Sequence, residues 1–233
     1  METTRGFGRL PAPDARDARY PMQLLLRPAA LPSFRYYQTG PHLPLDQGQT
    51  GTCVLHAWGA FLYAALIMDK VIESPFDMYR ATVGLDEFSG NDHEMMAPNE
   101  ELQYGTSVRA GAQYLRSKGH LKNFVWAHSA DEMALWILTG KGTIVNGTRW
   151  DWGMSDLKEG YAIPDGNVAG GHAYLVIGYN TKSRAFRCLN SWGPTFGENG
   201  RFWIHHDDMN ALILDDGEAC AAVEQKVVPL PQL

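Results

Sequence analysis

Cys53 is delivered by a polar, glycine-rich stretch, Asp46-Gln47-Gly48-Gln49-Thr50-Gly51-Thr52, to the start of an apolar run reaching from Val54 to Met68. The pattern predicts a helix that opens at Cys53, with the thiol at the positive end of the helix dipole, where thiolate is favoured. Thiolate is the nucleophilic form of cysteine. Far downstream, His172 leads into the apolar segment Ala173–Tyr179, and Asn190 follows within Leu189-Asn190-Ser191-Trp192-Gly193. A thiol, an imidazole and a neutral amide supply a nucleophile, an acid/base and a group to orient it. They need to be neighbours only in space. Such a set attacks a carbonyl carbon and forms a thioester.

Three matches in chain order make the sequence resemble the papain-like cysteine peptidases. Gln47 stands six positions before Cys53, as in the family's active-site loop. His172 to Tyr179 fits the family's His-Ala-x-x-x-x-Gly-Tyr strand, and Asn190 to Gly200 reproduces its Asn-Ser-Trp-Gly-x-x-(aromatic)-Gly-Glu-x-Gly segment. The resemblance runs from about Leu31 to about Ile204. It departs from the family at Thr50, where a cysteine is usual, and at Val54, where an aromatic residue is usual.

The resemblance implies a papain-like two-lobe α+β fold, with a helical lobe, a β-barrel-like lobe and the active-site cleft between them. It implies peptide or protein substrates, hydrolysis through a Cys53 thioester, and no cofactor or metal. Endopeptidase action is expected. The expected catalytic residues are Cys53, His172, Asn190 and Gln47. A neighbouring imidazolium lowers a thiol pKa, so Cys53 and His172 are expected to form an ion pair that titrates as a unit. Asn190 would accept a hydrogen bond from His172 through its side-chain oxygen. Gln47 and the Cys53 backbone N–H would bind the developing oxyanion, where losing one donor costs about 3–4 kcal/mol. Gly51, Gly105, Thr106, Gly171 and Trp192 are the expected substrate-binding residues. Trp192 would pack over the Asn190–His172 contact. Met209 and Leu214 are candidates for the base of the specificity pocket.

The alternatives are a papain-fold amidase, deamidase or acyltransferase, or a homologue that is inactive or blocked in its cleft. His56 lies one helical turn after Cys53, but a histidine on an apolar face is usually a satisfied core residue. His205-His206-Asp207-Asp208 lacks metal-ligand spacing and reads as a solvated strand end.

Composition is that of an ordinary globular protein: 233 residues, 45% hydrophobic and 20% charged, with net charge −6 from 20 basic and 26 acidic residues. With no basic run, neither nucleic acid nor an anionic membrane is an expected partner. The longest apolar stretch falls well short of the ~20 residues of a membrane span. The N-terminus lacks a signal-peptide pattern, so a cytoplasmic location, or export without a recognisable signal, is expected. Three cysteines, Cys53, Cys188 and Cys220, suit a reducing compartment.

Residues 1–30 are rich in Arg, Pro and Asp and form an N-terminal leader or strap, with a possible intramolecular contact to the cleft. Residues 31–233 form the catalytic domain, with a helical lobe at about 45–140 and a β-rich lobe at about 141–228. Helices are expected at Cys53–Lys70, Ser107–Lys118 and Ala130–Leu138. Strands are expected at Thr143–Asn146, Ala173–Tyr179, Ala185–Asn190, Arg201–His205 and Ala221–Val228. Two loop-like stretches, Phe88–Tyr104 and Trp150–Gly171, are long enough to line a cleft.

Overall fold

The computed structural model describes residues 5–12, 14–26, 30–40, 43–64, 73–83 and 100–225. Most of the expected Phe88–Tyr104 loop, residues 65–70 and residues 226–228 lie outside the described residues; the helix expected over Cys53–Lys70 ends earlier, at Leu62, with Tyr63 as its C-cap. Seven strands form one antiparallel sheet: β1 (Phe34–Tyr36), β2 (Leu121–Ala127), β3 (Ile144–Asp151), β4 (Val168–Asn180), β5 (Ala185–Leu189), β6 (Arg201–His205) and β7 (Glu218–Gln225). The order is β2-β7-β3-β4-β5-β6, with β1 also paired to β4. Among the described residues, five α-helices pack with it: α1 (Cys53–Leu62), α2 (Pro75–Val83), α3 (Val108–Ser117), α4 (Ala130–Leu138) and α5 (His206–Leu214).

The apolar run after His172 is continuous because β4 is buried on both faces. Ala173, Leu175 and Ile177 join the core cluster of α1, α2 and α3. Tyr174, Val176 and Tyr179 join a second cluster with α4, α5 and the aromatic residues Trp150, Phe186, Trp192 and Phe202. Every described residue of α1 is buried, as its all-round apolarity requires. Cys53 is the first residue of that helix, and Ala173 of β4 lies beside it.

The structure extends or adds to the expected elements. β3 runs on to Asp151 and β4 begins at Val168, so the strands take both ends of the expected Trp150–Gly171 loop. β1, α2, β2 and α5 are additional. α2 begins at Pro75, whose fixed φ and missing N–H suit a first helical turn. β2 pairs with β7, and α4 contributes Met133, Trp136 and Ile137 to the second cluster, so residues 121–138 pack on the sheet side. His205 ends β6 and His206 opens α5. Far from being solvated, His206 is buried, with Nδ1 at 3.0 Å from the Tyr179 hydroxyl and Nε2 at 3.1 Å from Asp131. Among the described residues, no group of three or more His, Cys, Asp or Glu could hold a metal ion, and no helix is long and apolar enough to cross a membrane.

Candidate active site

β4 carries His172 against a wall of aromatic rings. Trp192 stacks on the imidazole at 4.4 Å, and Trp150 meets it edge-on at 5.0 Å. The ring is held by a 2.8 Å hydrogen bond between Nε2 and Asn190 Oδ1. Asn190 Oδ1 also accepts the Ser191 N–H at 2.8 Å, which fixes the amide orientation. With Nε2 so engaged, His172 Nδ1 is buried and lacks a hydrogen-bond partner. Trp150 was missed in the sequence because nothing marks it locally; it reaches the site only through the β3–β4 pairing.

Gln47 sits across from this wall. Its Oε1 accepts the Ser191 hydroxyl at 2.6 Å, and its backbone N–H donates to the Ser191 carbonyl at 2.8 Å. The loop before α1 is thereby tied to the segment that carries Asn190. Gln47 Nε2 is directed to the Thr50 carbonyl at 2.7 Å and to the Gly6 carbonyl at 3.1 Å.

That second contact belongs to the leader, which crosses the site as an extended strip. Arg5 lies over the rings of Trp192 and Phe196 at 4.9 and 4.8 Å. Phe7 makes edge contacts with Trp192 and His172 at 5.8 and 5.9 Å. The Gly8 and Arg9 N–H groups both donate to the Gly171 carbonyl at 2.9 Å. Gly8 accepts from the Thr106 N–H at 2.8 Å, and Leu10 donates to the Thr106 carbonyl at 3.0 Å. The backbones touch so closely that a Cβ on Gly8 would fall 1.9 Å from the Gly51 carbonyl oxygen. A Cβ on Gly105 would fall 2.1 Å from the Gly8 carbonyl oxygen. All five expected substrate-binding residues, Gly51, Gly105, Thr106, Gly171 and Trp192, therefore contact this strip.

The cover changes the electrostatics of the pair beneath it. Burial pushes the Cys53 thiol up to about 11, against the opposing effect of backbone N–H groups from Ala173, Gly8 and Val54. Burial pushes His172 down to about 4, against the raising effect of Asn190 and with a further lowering from the Arg5 charge. Both shifts favour the neutral forms, whereas an ion pair was expected. Exclusion of water outweighs the helix dipole and the Asn190 bond.

Other candidates resolve simply. His56 Nδ1 is satisfied by the Thr52 carbonyl at 3.0 Å and hydroxyl at 3.1 Å, and burial lowers its pKa to about 4. Cys188 and Cys220 are buried free thiols. Met209 lies behind Asn146, whose Nδ2 is 3.3 Å from its sulfur, and Leu214 is 70% exposed.

The fold and the thiol–imidazole–amide geometry define a class: α+β proteins with a buried cysteine at a helix start, facing a histidine strand. The family model for papain family cysteine proteases matches residues 78–227. The chain belongs to the papain family of cysteine proteases. Among solved structures, xylellain, a cysteine protease from Xylella fastidiosa, is similar at 20% identity and TM-score 0.70, covering 96% of this chain and 98% of that one. Digestive procathepsin L2 from Tenebrio molitor is similar at 15% identity and TM-score 0.65, covering 95% and 79%. Bromelain from Ananas comosus, solved with the E64 inhibitor, is similar at 14% identity and TM-score 0.58, covering 84% and 100%. No curated protein matches the chain.

Proposed function

We propose that this protein is a cysteine endopeptidase with residues 1–30 as a leader, of which residues 5–10 cross the cleft, and residues 31–233 as the catalytic domain. Cys53 attacks the peptide carbonyl, and His172 gives a proton to the leaving amine and later activates water. Asn190 orients His172. Gln47 Nε2 and the Cys53 N–H stabilise the oxyanion. The carrying observation is the Asn190 Oδ1 bond to His172 Nε2, which leaves Nδ1 buried and unpartnered on the strand whose next residue, Ala173, meets Cys53.

Endopeptidase action is supported by the leader itself. It threads continuously from Trp192 past Cys53 to Thr106, with chain on both sides of the sulfur, as an internal segment of a substrate must. Latency follows from the same contacts. Gly8 offers its backbone N–H to the sulfur, and the Gly6 carbonyl occupies the Gln47 amide. Displacement of the strip would rehydrate the pair and allow it to ionise. The test is incubation of the protein, with the leader displaced by Gly8→Leu, with an internally quenched peptide library, followed by mass spectrometry. New internal chain ends that vanish in Cys53→Ala are expected. Release of ammonia without chain cleavage would replace peptidase with deamidase.

A further inference from the structure

One leader side chain fills a pocket beside the proposed nucleophile, and its chemistry is specific. Arg9 is 5% exposed although it belongs to an N-terminal strip. Its backbone N–H binds Gly171, directly before His172. Its guanidinium Nε donates to Glu218 Oε2 at 3.0 Å, and a second guanidinium nitrogen donates to the Asp216 carbonyl. Glu218 is itself 7% exposed. It opens β7 opposite Gly147 of β3. Gly147 keeps the wall low, since a Cβ there would fall 3.0 Å from Arg9 Cγ and 2.7 Å from a Val108 methyl. The aliphatic stem thus lies against Gly147, which Val108 also covers, and the charged fork ends on two oxygens.

Building on the peptidase reading, we infer that the pocket ending at Glu218 selects substrates with an arginine side chain next to the reacting segment, and that Arg9 holds this place in the covered form. A substrate guanidinium would replace the ion pair that Arg9 makes with Glu218, whereas an apolar side chain would lose it. A guanidinium satisfies both the carboxylate and the Asp216 carbonyl in one rigid fork, whereas a lysine ammonium ends as a point charge. Apolar pocket bases such as Met209 or Leu214 would give the opposite preference.

The test uses full-length Gly8→Leu protein and peptides that differ only at the pocket-filling residue: Arg, its neutral isostere citrulline, Lys or Leu. Cleavage of the Arg peptide with kcat/KM at least about tenfold above citrulline and Leu is expected. Glu218→Gln should bring the Arg-to-Leu ratio toward one. Equal cleavage of the Arg and citrulline peptides overturns the inference and leaves the peptidase reading standing. The same peptides are also titrated against Gly8→Leu with Cys53→Ala, where no chemistry occurs. Tighter binding of Arg than citrulline there supports the pocket even if the active-thiol protein cleaves nothing, an outcome that would remove the peptidase reading alone. Equal binding there overturns the pocket. Citrulline tests the charge without altering the protein, so misfolding of Glu218→Gln does not decide the result.

Discussion

The wall behind His172 and the leader in front of it are both buried, yet they are held by different forces. The wall is a stack of aromatic side chains, Trp150, Trp192, Tyr174, Phe196 and Phe202, around strands paired into one antiparallel sheet. The part of the leader that crosses the site, residues 5–10, is held by backbone hydrogen bonds to Gly171 and Thr106, by the ring contacts of Arg5 and Phe7, and by an ion pair; further on, Met22 joins the second core cluster. Arg9 pairs with Glu218, and Arg109 of α3 pairs with Asp14 at 3.5 Å and with Asp17. Apolar packing within one cooperative core is hard to undo locally. A strip held mostly by backbone bonds, two ring contacts and an ion pair can exchange them for water or for a substrate making the same bonds. The comparison separates a fixed framework from a removable cover.

Changes in the fixed part should act on catalysis in leader-displaced protein. Gln47→Ala is expected to lower kcat by about 100- to 1,000-fold, the loss of one oxyanion donor, with KM little moved. Stopped assays against a fluorogenic peptide check this. Asn190→Ala is expected to cost about 10- to 100-fold, less than the 10²–10⁴ that acid–base catalysis supplies. It should also displace the pH profile of kcat, which loss of fold alone would not do.

Changes in the cover should act on access instead. Arg109→Ala breaks the Asp14 and Asp17 pairs and should raise thiol alkylation of the full-length protein by at least about tenfold, since 1.4 kcal/mol is a factor of ten. Hydrogen exchange at residues 5–10 should rise with it, while exchange in β4 stays slow. Equal rises in both regions would erase the distinction between framework and cover.

A different kind of effect, on overall stability and not on the site alone, is expected with pH. His172 and His56 both lie near 4 in the folded protein, below the ordinary 6.5. Above pH 6.5 both are neutral folded or unfolded, and their contribution is complete. As pH falls from 6.5 through 4, the unfolded chain takes up protons first and stability is lost, about 3 kcal/mol for each histidine at ~1.4 kcal/mol per pKa unit. Urea titrations at pH 7.5 and 4.5 measure the drop, and His56→Gln should remove about half of it.

The proposed catalytic positions were legible in the sequence because each sits in a short local pattern: Gln47 before Cys53, His172 before an apolar strand, Asn190 before Ser-Trp-Gly. The path of the leader was not. Gly6 and Gly8 carry no hydrophobic period, and their partners are backbone atoms of distant segments, so residues 1–30 could be read only as a plug or a strap. Glu218 was hidden for a related reason. Its position at the pocket exists only because β7 inserts between β2 and β3, a long-range pairing that no local pattern encodes. α2 could have been found from Ser74-Pro75, a helix-start signal. α5 was obscured because His205-His206-Asp207-Asp208 suited a strand end.

The most direct measurement is the rate at which a peptidyl epoxide alkylates Cys53 in wild-type and Gly8→Leu protein, with adducts located by mass spectrometry. A Cβ at position 8 has no room against Gly51, so the leucine should drive the strip out. The account predicts at least a hundredfold faster labelling of Cys53 in the variant, abolished by His172→Ala. Equal rates in the two proteins, or labelling that persists without His172, would contradict it.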